Sequence, residues 1–215
     1  MLKIFDDLYQ FSSYASPIDL TFHQYLLNRD EPILIHTGNT KQAAQLVPQI
    51  KEVIRGKKLK YIFISHFESD ECGGLSVILK EFPRAKSICS DVTARQLEGF
   101  GIIGDAIVKK PGDKMIIDDM EFEFISYPSE MHLWEGLLFI ENTRKILFSS
   151  DLMIRFGNVS GKILENTLEK EIERITEEQI PDKERRELLK AELGKLDIKF
   201  IATGHGQCIK INKDI

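Results

Sequence analysis

The stretch that decides the fold is Ile64-Ser65-His66-Phe67-Glu68-Ser69-Asp70-Glu71-Cys72-Gly73-Gly74. It follows the apolar run 61–64, which is typical of a buried strand. Within six residues it carries four side chains that can bind a metal: His66, Glu68, Asp70 and Glu71. Side chains at i, i+2 and i+4 of an extended chain point the same way, so we expect His66, Glu68 and Asp70 to lie together. Glu71 would then point elsewhere. Taken alone, the stretch could also be an ordinary polar loop.

Size and charge exclude several classes of protein. A chain of 215 residues can bury a large core, and we expect a single domain over residues 1–215. The net charge of −5 gives no reason to expect nucleic acid or an anionic membrane as a partner. No apolar run is long enough to span a bilayer, and residues 1–7 lack the features of a signal peptide.

The cysteines indicate a reducing compartment. Cys72, Cys89 and Cys208 are scattered and form no CxxC pair, which argues against a disulfide framework and favours a cytoplasmic location. Cys72 lies inside the ligand-rich stretch and could bind a metal as a thiolate. We expect it to be a bystander, because the neighbouring carboxylates already supply hard oxygen ligands.

The order of predicted elements indicates an α/β (α+β) fold. We expect few strands in the first thirty residues, and then strands at 21–27, 32–36, 61–65 and 87–89 with helices at 41–54, 75–82 and 92–100. Short strands follow at 107–108, 114–117, 121–125, 137–140 and 145–148, and a last strand at 199–203. Residues 162–195 are predicted to be helical with a break at Pro181 and Asp182. This pattern predicts two packed sheets covered by helices. The charged helices would lie on the core, or alternatively form a partner or dimer surface.

Three further candidate ligands occupy similar places. His132 lies between two predicted strands, Asp151 closes a strand, and His205 follows the last one. Any one of them alone would more often be a cap or a satisfied polar group. Together with the 66–71 stretch they place His, Glu or Asp at four separated strand ends, as a binuclear metal site requires. We expect His23 and His36 to be structural rather than ligands.

The pattern H-x-E-x-D at 66, 68 and 70, followed by His132, Asp151 and His205, resembles the metallo-β-lactamase superfamily. More closely, it is similar to the diiron domain of flavodiiron proteins, the branch that reduces oxygen and nitric oxide. The resemblance covers nearly the whole chain and implies a four-layer αβ/βα sandwich. Glu68 is the most diagnostic residue, because the zinc hydrolases of the superfamily usually carry histidine there. Independently, imidazoles mixed with several carboxylates suit iron or manganese.

The resemblance implies two iron ions that change between Fe2+ and Fe3+ and share a bridging oxo, hydroxo or peroxo group, with no flavin in this chain. His66, Glu68 and His132 would hold one ion. Asp70 and His205 would hold the other, with Asp151 bridging the two.

Two departures from the family pattern affect this site. Glu71 stands where the family has a histidine. The second iron ion would then have either a carboxylate ligand or an open position for water. Ser12 stands where the family often has a histidine behind the ligands. Tyr14 matches a tyrosine near the family's site and could donate a hydrogen bond to a bound oxygen species, although a packed structural tyrosine is equally compatible with the sequence.

The end of the chain influences the predicted role. Flavodiiron proteins continue into a flavodoxin domain, whereas this chain ends at Ile215 without a glycine-rich phosphate loop. We therefore expect a protein that binds dioxygen, or nitric oxide, and acts as an oxygen or redox sensor through a signalling partner. The alternative is an oxygen or nitric oxide reductase fed by a separate electron donor. A zinc hydrolase is the third interpretation, which Glu68 argues against. The resemblance also implies a homodimer.

Overall fold

The computed structural model describes residues 1–102, 104–128 and 135–212, without the side chain of Glu135. The chain divides into two compact units, Met1–Ser13 with Phe22–Lys110 and Tyr14–Thr21 with Pro111–Ile215. The single domain expected over residues 1–215 remains a prediction. No helix in the described ranges combines the length and the apolar character that crossing a membrane requires.

Among the described residues, the first sheet has seven strands in chain order. They are β1 (Leu2–Lys3), β2 (Leu8–Ala15), β3 (Leu20–Leu27), β4 (Ile33–Ile35), β5 (Tyr61–Phe63), β6 (Lys86–Cys89) and β7 (Ala106–Val108). A 3-10 turn, Ser16–Ile18, separates β2 from β3. From β4 to β7 the pairing is parallel, so the carboxyl ends of these strands share one edge.

Helices connect the parallel strands. The sequence predicts α1 (Thr40–Ile54), α3 (Leu75–Glu81) and α4 (Asp91–Gly99), whereas the short helix α2 (Ser69–Cys72) was not predicted. Helix α1 begins with a capping box. Asn39 Oδ1 accepts a hydrogen bond from the backbone N–H of Gln42 at 3.1 Å, and Gln42 Oε1 accepts one from the backbone N–H of Asn39 at 2.8 Å. Its buried positions recur at helical spacing, including Ala43, Leu46 and Ile50.

The expectation of a strand-poor start is wrong, because β1 and β2 both lie there. Strand β2 was hard to predict because it buries a polar side chain. Gln10 is 2 % exposed and donates a hydrogen bond to the hydroxyl of Tyr25 at 3.2 Å. This hydrogen bond joins Gln10 to a residue of β3, 15 positions away along the chain.

The second sheet also has seven strands, in the order β12-β14-β13-β11-β10-β9-β8. They are β8 (Lys114–Ile117), β9 (Met120–Pro128), β10 (Glu135–Glu141), β11 (Ile146–Ser150), β12 (Ile163–Thr167), β13 (Phe200–Thr203) and β14 (Cys208–Asn212). Strands β8 to β11, predicted as short strands, form an antiparallel meander, and β11 then pairs in parallel with β13.

Two helices accompany this sheet, α5 (Leu168–Glu173) and α6 (Lys183–Leu193). Leu189 and Leu193 of α6 belong to the core cluster of the sheet. This confirms the prediction that this charged helix lies on the core. The prediction that residues 162–195 are helical is wrong at its start. Ile163–Thr167 forms β12 because it finds a parallel partner in β14, a pairing between distant segments.

Candidate metal centre

His66 lies just past the end of β5 with two carboxylates beside it. Its Nδ1 shares a hydrogen bond with Ser65 Oγ at 3.0 Å, and its Nε2 is 3.0 Å from Glu68 Oε2 and 4.0 Å from Glu71 Oε2. The potential ligand atoms of His66, Glu68 and Glu71 all lie within 4.8 Å of one another. Because Ser65 occupies Nδ1, the ring presents Nε2 to the carboxylates.

The sequence predicts that Asp70 lies beside His66 and Glu68. This grouping is wrong, because Glu71 lies there instead. The extended alternation ends at Glu68, because the helical turn α2 begins at Ser69. A helix turns about 100° per residue instead of alternating, which changes the side that Asp70 and Glu71 face. Glu71 is 2 % exposed, and Glu71 Oε1 lies 4.0 Å from Nδ1 of His36. Asp70 is half-buried on the same turn.

The turn that carries Glu71 is fixed to the segment before α1. The backbone N–H of Thr37 donates to the carbonyl of Glu71 at 2.9 Å, and Gly74 N–H donates to the carbonyl of Gly38 at 2.8 Å. A Cβ on Gly74 would lie only 2.4 Å from Cβ of Ala43, so glycine is needed for this close approach. Gly74 therefore lets the turn that carries Glu71 pack on α1.

Cys72 behaves as a buried thiol in this turn. Its Sγ donates to the carbonyl of Glu68 at 3.1 Å, and burial raises the pKa of the thiol to about 12. Metal binding needs the thiolate, so these observations favour the bystander role predicted for Cys72.

Asp151 and His205 form a second imidazole–carboxylate pair. Strands β11 and β13 are parallel neighbours, with Ser150 opposite Thr203, so the residues that follow their carboxyl ends are adjacent. His205 Nε2 lies 3.0 Å from Asp151 Oδ1. His205 is 5 % exposed, and the side chain of Asp151 is 17 % exposed. The parallel pairing therefore assembles the two side chains that the sequence placed at separate strand ends.

Tyr127 is a site residue that the sequence analysis missed. It is 2 % exposed near the end of β9, and its hydroxyl donates to Asp151 Oδ2 at 3.4 Å. The signal in the sequence was a tyrosine within an apolar strand, because a buried tyrosine hydroxyl usually needs a polar partner.

The sequence also singles out His132, Tyr14 and Ser12. His132 lies in 129–134, outside the described residues. Tyr14 is 39 % exposed and its hydroxyl donates to Asp19 Oδ1 at 2.6 Å, which raises the pKa of the phenol. The role expected for Tyr14 towards bound oxygen therefore remains a prediction, and in this structure its hydrogen is directed to Asp19. Ser12 shares a 2.8 Å hydrogen bond with His23, which is 2 % exposed.

The donor atoms fit a transition-metal ion. Two atoms that bind one ion at right angles, each about 2.1 Å from it, are about 3.0 Å apart. The His66–Glu68 and Asp151–His205 separations are both 3.0 Å. Imidazole combined with carboxylates suits iron, manganese or zinc.

The sequence profile of the ODP family beta lactamases matches residues 20–206. The chain belongs to the ODP family. This match, with the mixed α/β structure and its two sheets, confirms the predicted α/β (α+β) class and the metallo-β-lactamase-like fold. The resemblance inferred from the H-x-E-x-D pattern is confirmed at the level of the family.

Relatives of this ODP-family chain are larger proteins. A Nostoc sp. protein described as diflavin flavoprotein A 2 is 28 % identical over 209 residues, which are 91 % of this chain and 34 % of that protein. The rubredoxin-oxygen oxidoreductase of Megalodesulfovibrio gigas is 26 % identical over 64 % of this chain and 34 % of its own length. An anaerobic nitric oxide reductase flavorubredoxin of Vibrio vulnificus is 22 % identical over 65 % of this chain and 29 % of its own.

The fold likeness extends over almost the whole chain. A flavo di-iron protein from Thermotoga maritima, solved as a point mutant, matches with a TM-score of 0.77 at 24 % identity, over 96 % of this chain and 56 % of that one. The ODP-family chain thus spans just over half of this solved neighbour, and about a third of the first curated relative at 34 %.

Proposed function

We propose that this ODP-family chain binds two iron ions and reduces dioxygen at them. The proposal rests above all on the two imidazole–carboxylate pairs, His66 with Glu68 and Asp151 with His205, each separated by 3.0 Å. The names of the relatives support it, because they include an oxygen oxidoreductase and a di-iron protein. His66, Glu68, Asp70, His132, Asp151 and His205 would hold the two ions, as the family pattern implies.

Glu71 is proposed to add a further carboxylate to this centre. It is buried and its oxygen lies 4.0 Å from the same Nε2 of His66 that faces Glu68. A buried carboxylate is costly unless a positive charge or hydrogen bonds compensate it, and a metal ion would supply that charge. Negative ligands favour the ferric state, so Glu71 would make oxidation of the centre easier.

The chain's own groups would orient the ligands. Ser65 fixes the ring of His66, and Tyr127 holds the second oxygen of Asp151. Such outer hydrogen bonds set the orientation and basicity of metal ligands. A bound ferrous pair would supply two electrons, enough to take dioxygen to the level of peroxide, whereas reduction to water needs four. We therefore propose that an electron donor serves the centre when it turns over.

An anaerobic oxygen titration tests this function. Metal-free protein is reconstituted with Fe2+, freed of excess iron and titrated with dioxygen, with an oxygen electrode and iron analysis as the measurements. We expect about two irons per chain and about one dioxygen consumed per pair. A chain that holds no iron, or whose bound iron leaves dioxygen unreduced, would refute the proposal.

The same titration separates the remaining roles. Catalytic consumption of dioxygen with a reduced flavoprotein or rubredoxin would favour a reductase. A single oxidation without turnover would favour the sensor, which remains a prediction. The flavorubredoxin relative makes nitric oxide the second candidate substrate, and replacing dioxygen by nitric oxide in the titration tests it.

A further inference from the structure

We propose that the buried ion pair between Arg155 and Glu171 is a positioning device for Asp151 and His205. The inference rests on the proposed function, since it treats Asp151 and His205 as metal ligands. Arg155 and Glu171 were not among the predicted site residues, and neither is a candidate ligand.

The ion pair is short and shielded from solvent. Arg155 Nη2 donates to Glu171 Oε1 at 2.6 Å, and the side chains are 15 % and 0 % exposed. Asn166 Nδ2 on β12 donates to the same oxygen at 2.5 Å. Glu171 lies in the first turn of α5. Because a buried carboxylate tolerates little displacement from its charged partner, the pair anchors Arg155 to β12 and α5.

The other side of the guanidinium contacts the loop that carries Asp151. Arg155 Nη1 donates to the carbonyl of Met153 at 3.1 Å. Ser150 and Met153 flank Asp151 and both have positive φ, +48° and +65°. Residues other than glycine adopt this conformation only when their surroundings hold them there. The guanidinium thus supports a loop whose backbone would otherwise relax.

The backbone of Arg155 also supports the loop that carries His205. Gly206 follows His205 with φ of +92°, and a Cβ there would lie 2.8 Å from the backbone nitrogen of Arg155. On the other side of His205, Gly204 N–H donates to the carbonyl of Ser150 at 2.8 Å. The His205 loop is therefore held between Ser150 and Arg155, and Arg155 touches the supports of both ligands.

Removing a purely structural ion pair would change only the stability of the chain. Removing a positioning pair would also change the metal affinity of the folded variant. The double substitution R155M/E171M separates the two roles. It removes both charges and keeps unbranched side chains of similar length, which avoids leaving one buried charge alone. Lys210→Gln is the matched control, because it breaks a 2.9 Å ion pair with Glu165 in the same unit at an exposed site.

The experiment titrates metal-free protein with Co2+ alone in competition with a chromophoric chelator. Circular dichroism and urea unfolding check that each variant is folded. We expect wild type and K210Q each to bind two Co2+, and the affinity of each binding step to be the same in the two proteins. In R155M/E171M at least one binding step should weaken about 10- to 100-fold, the usual effect of removing a group that orients a metal ligand. The Co2+ absorption bands should shift with it.

Undiminished Co2+ affinity in a folded R155M/E171M variant would overturn the inference while leaving the proposed function intact. If the double variant does not fold, R155K replaces it, since lysine keeps the charge but lacks the planar fork that reaches both Glu171 and the carbonyl of Met153. The same binding step should weaken in R155K, and wild-type affinity there would overturn the inference. A wild-type chain that binds no pair of ions would instead refute the proposed function.

Discussion

Replacing Gly206 by alanine should destabilise the chain more than a glycine substitution usually does. Gly206 has φ of +92°, and an added Cβ would lie 2.8 Å from both N and Cβ of Arg155 and 2.9 Å from its carbonyl oxygen. A left-handed backbone costs a residue with a Cβ about 1–2 kcal/mol. Forcing an extra carbon against fixed backbone adds about 1–3 kcal/mol. We therefore expect Gly206→Ala to lower the free energy of unfolding by about 2–5 kcal/mol.

Gly112→Ala is the control that isolates the contact. Gly112 has φ of +84° and lies in the same unit, but a Cβ there would meet nothing within 4 Å. It should therefore lose only the backbone contribution of about 1–2 kcal/mol. The difference between the two variants then measures the packing of Gly206 on Arg155, about 1–3 kcal/mol.

Urea unfolding of the two variants and wild type, followed by circular dichroism, provides the free energies. Because Gly206 adjoins His205, Gly206→Ala should also weaken Co2+ binding, whereas Gly112→Ala should leave it unchanged. If Gly206→Ala were no more destabilising than Gly112→Ala, the two loops could not be in the contact described here.

Three further predictions concern other parts of the chain. Glu68→His should raise the ratio of zinc to iron in protein expressed with both metals, since histidine suits zinc better than a carboxylate does; an unchanged ratio would show that Glu68 does not select the metal. Burial, and then the charge of Glu123, raise the pKa of Glu192 above its usual 4.5, so the folded chain holds this proton more tightly than the unfolded chain does. The stability of the chain therefore falls as the pH rises from 4.5 through the raised pKa. Glu192→Gln, which is neutral at every pH, should raise the urea midpoint at pH 7 but not at pH 4. Equal midpoints for the variant and wild type at pH 7 would contradict this. Burial raises the pKa of Cys72 and Cys89 to about 12, so neither should react with a thiol reagent at pH 8 until urea is added, and rapid reaction of the native protein would show that they are accessible.

Local patterns were sufficient to predict much of the fold. Strand β5 is an apolar run and α1 has a helical period with a capping residue, so each is specified by neighbouring residues. Strand β12 is different, because Ile163–Thr167 becomes a strand only by pairing with β14, which begins at Cys208. Its sequence, Ile-Leu-Glu-Asn-Thr, lacks the strict alternation of apolar and polar residues that identifies a strand.

The site shows the same division between local and distant information. His66, Asp151 and His205 were predictable because each follows an apolar strand. The exchange of Asp70 for Glu71 beside His66 was not, because α2 is only four residues long and gives no period to detect. The contact of Tyr127 with Asp151 joins residues 24 positions apart, and Arg155 with Glu171 depends on how loop 151–155 folds back towards α5. Such contacts require the tertiary structure.

The metal content of the reconstituted chain tests the central claim most directly. Metal-free protein is incubated anaerobically with equal excesses of Fe2+ and Zn2+, desalted and analysed by mass spectrometry for both metals. The carboxylate-rich donor set predicts about two irons per chain, and Glu68→His should move the occupancy towards zinc. Tightly held zinc with no iron in the wild-type chain would contradict the account.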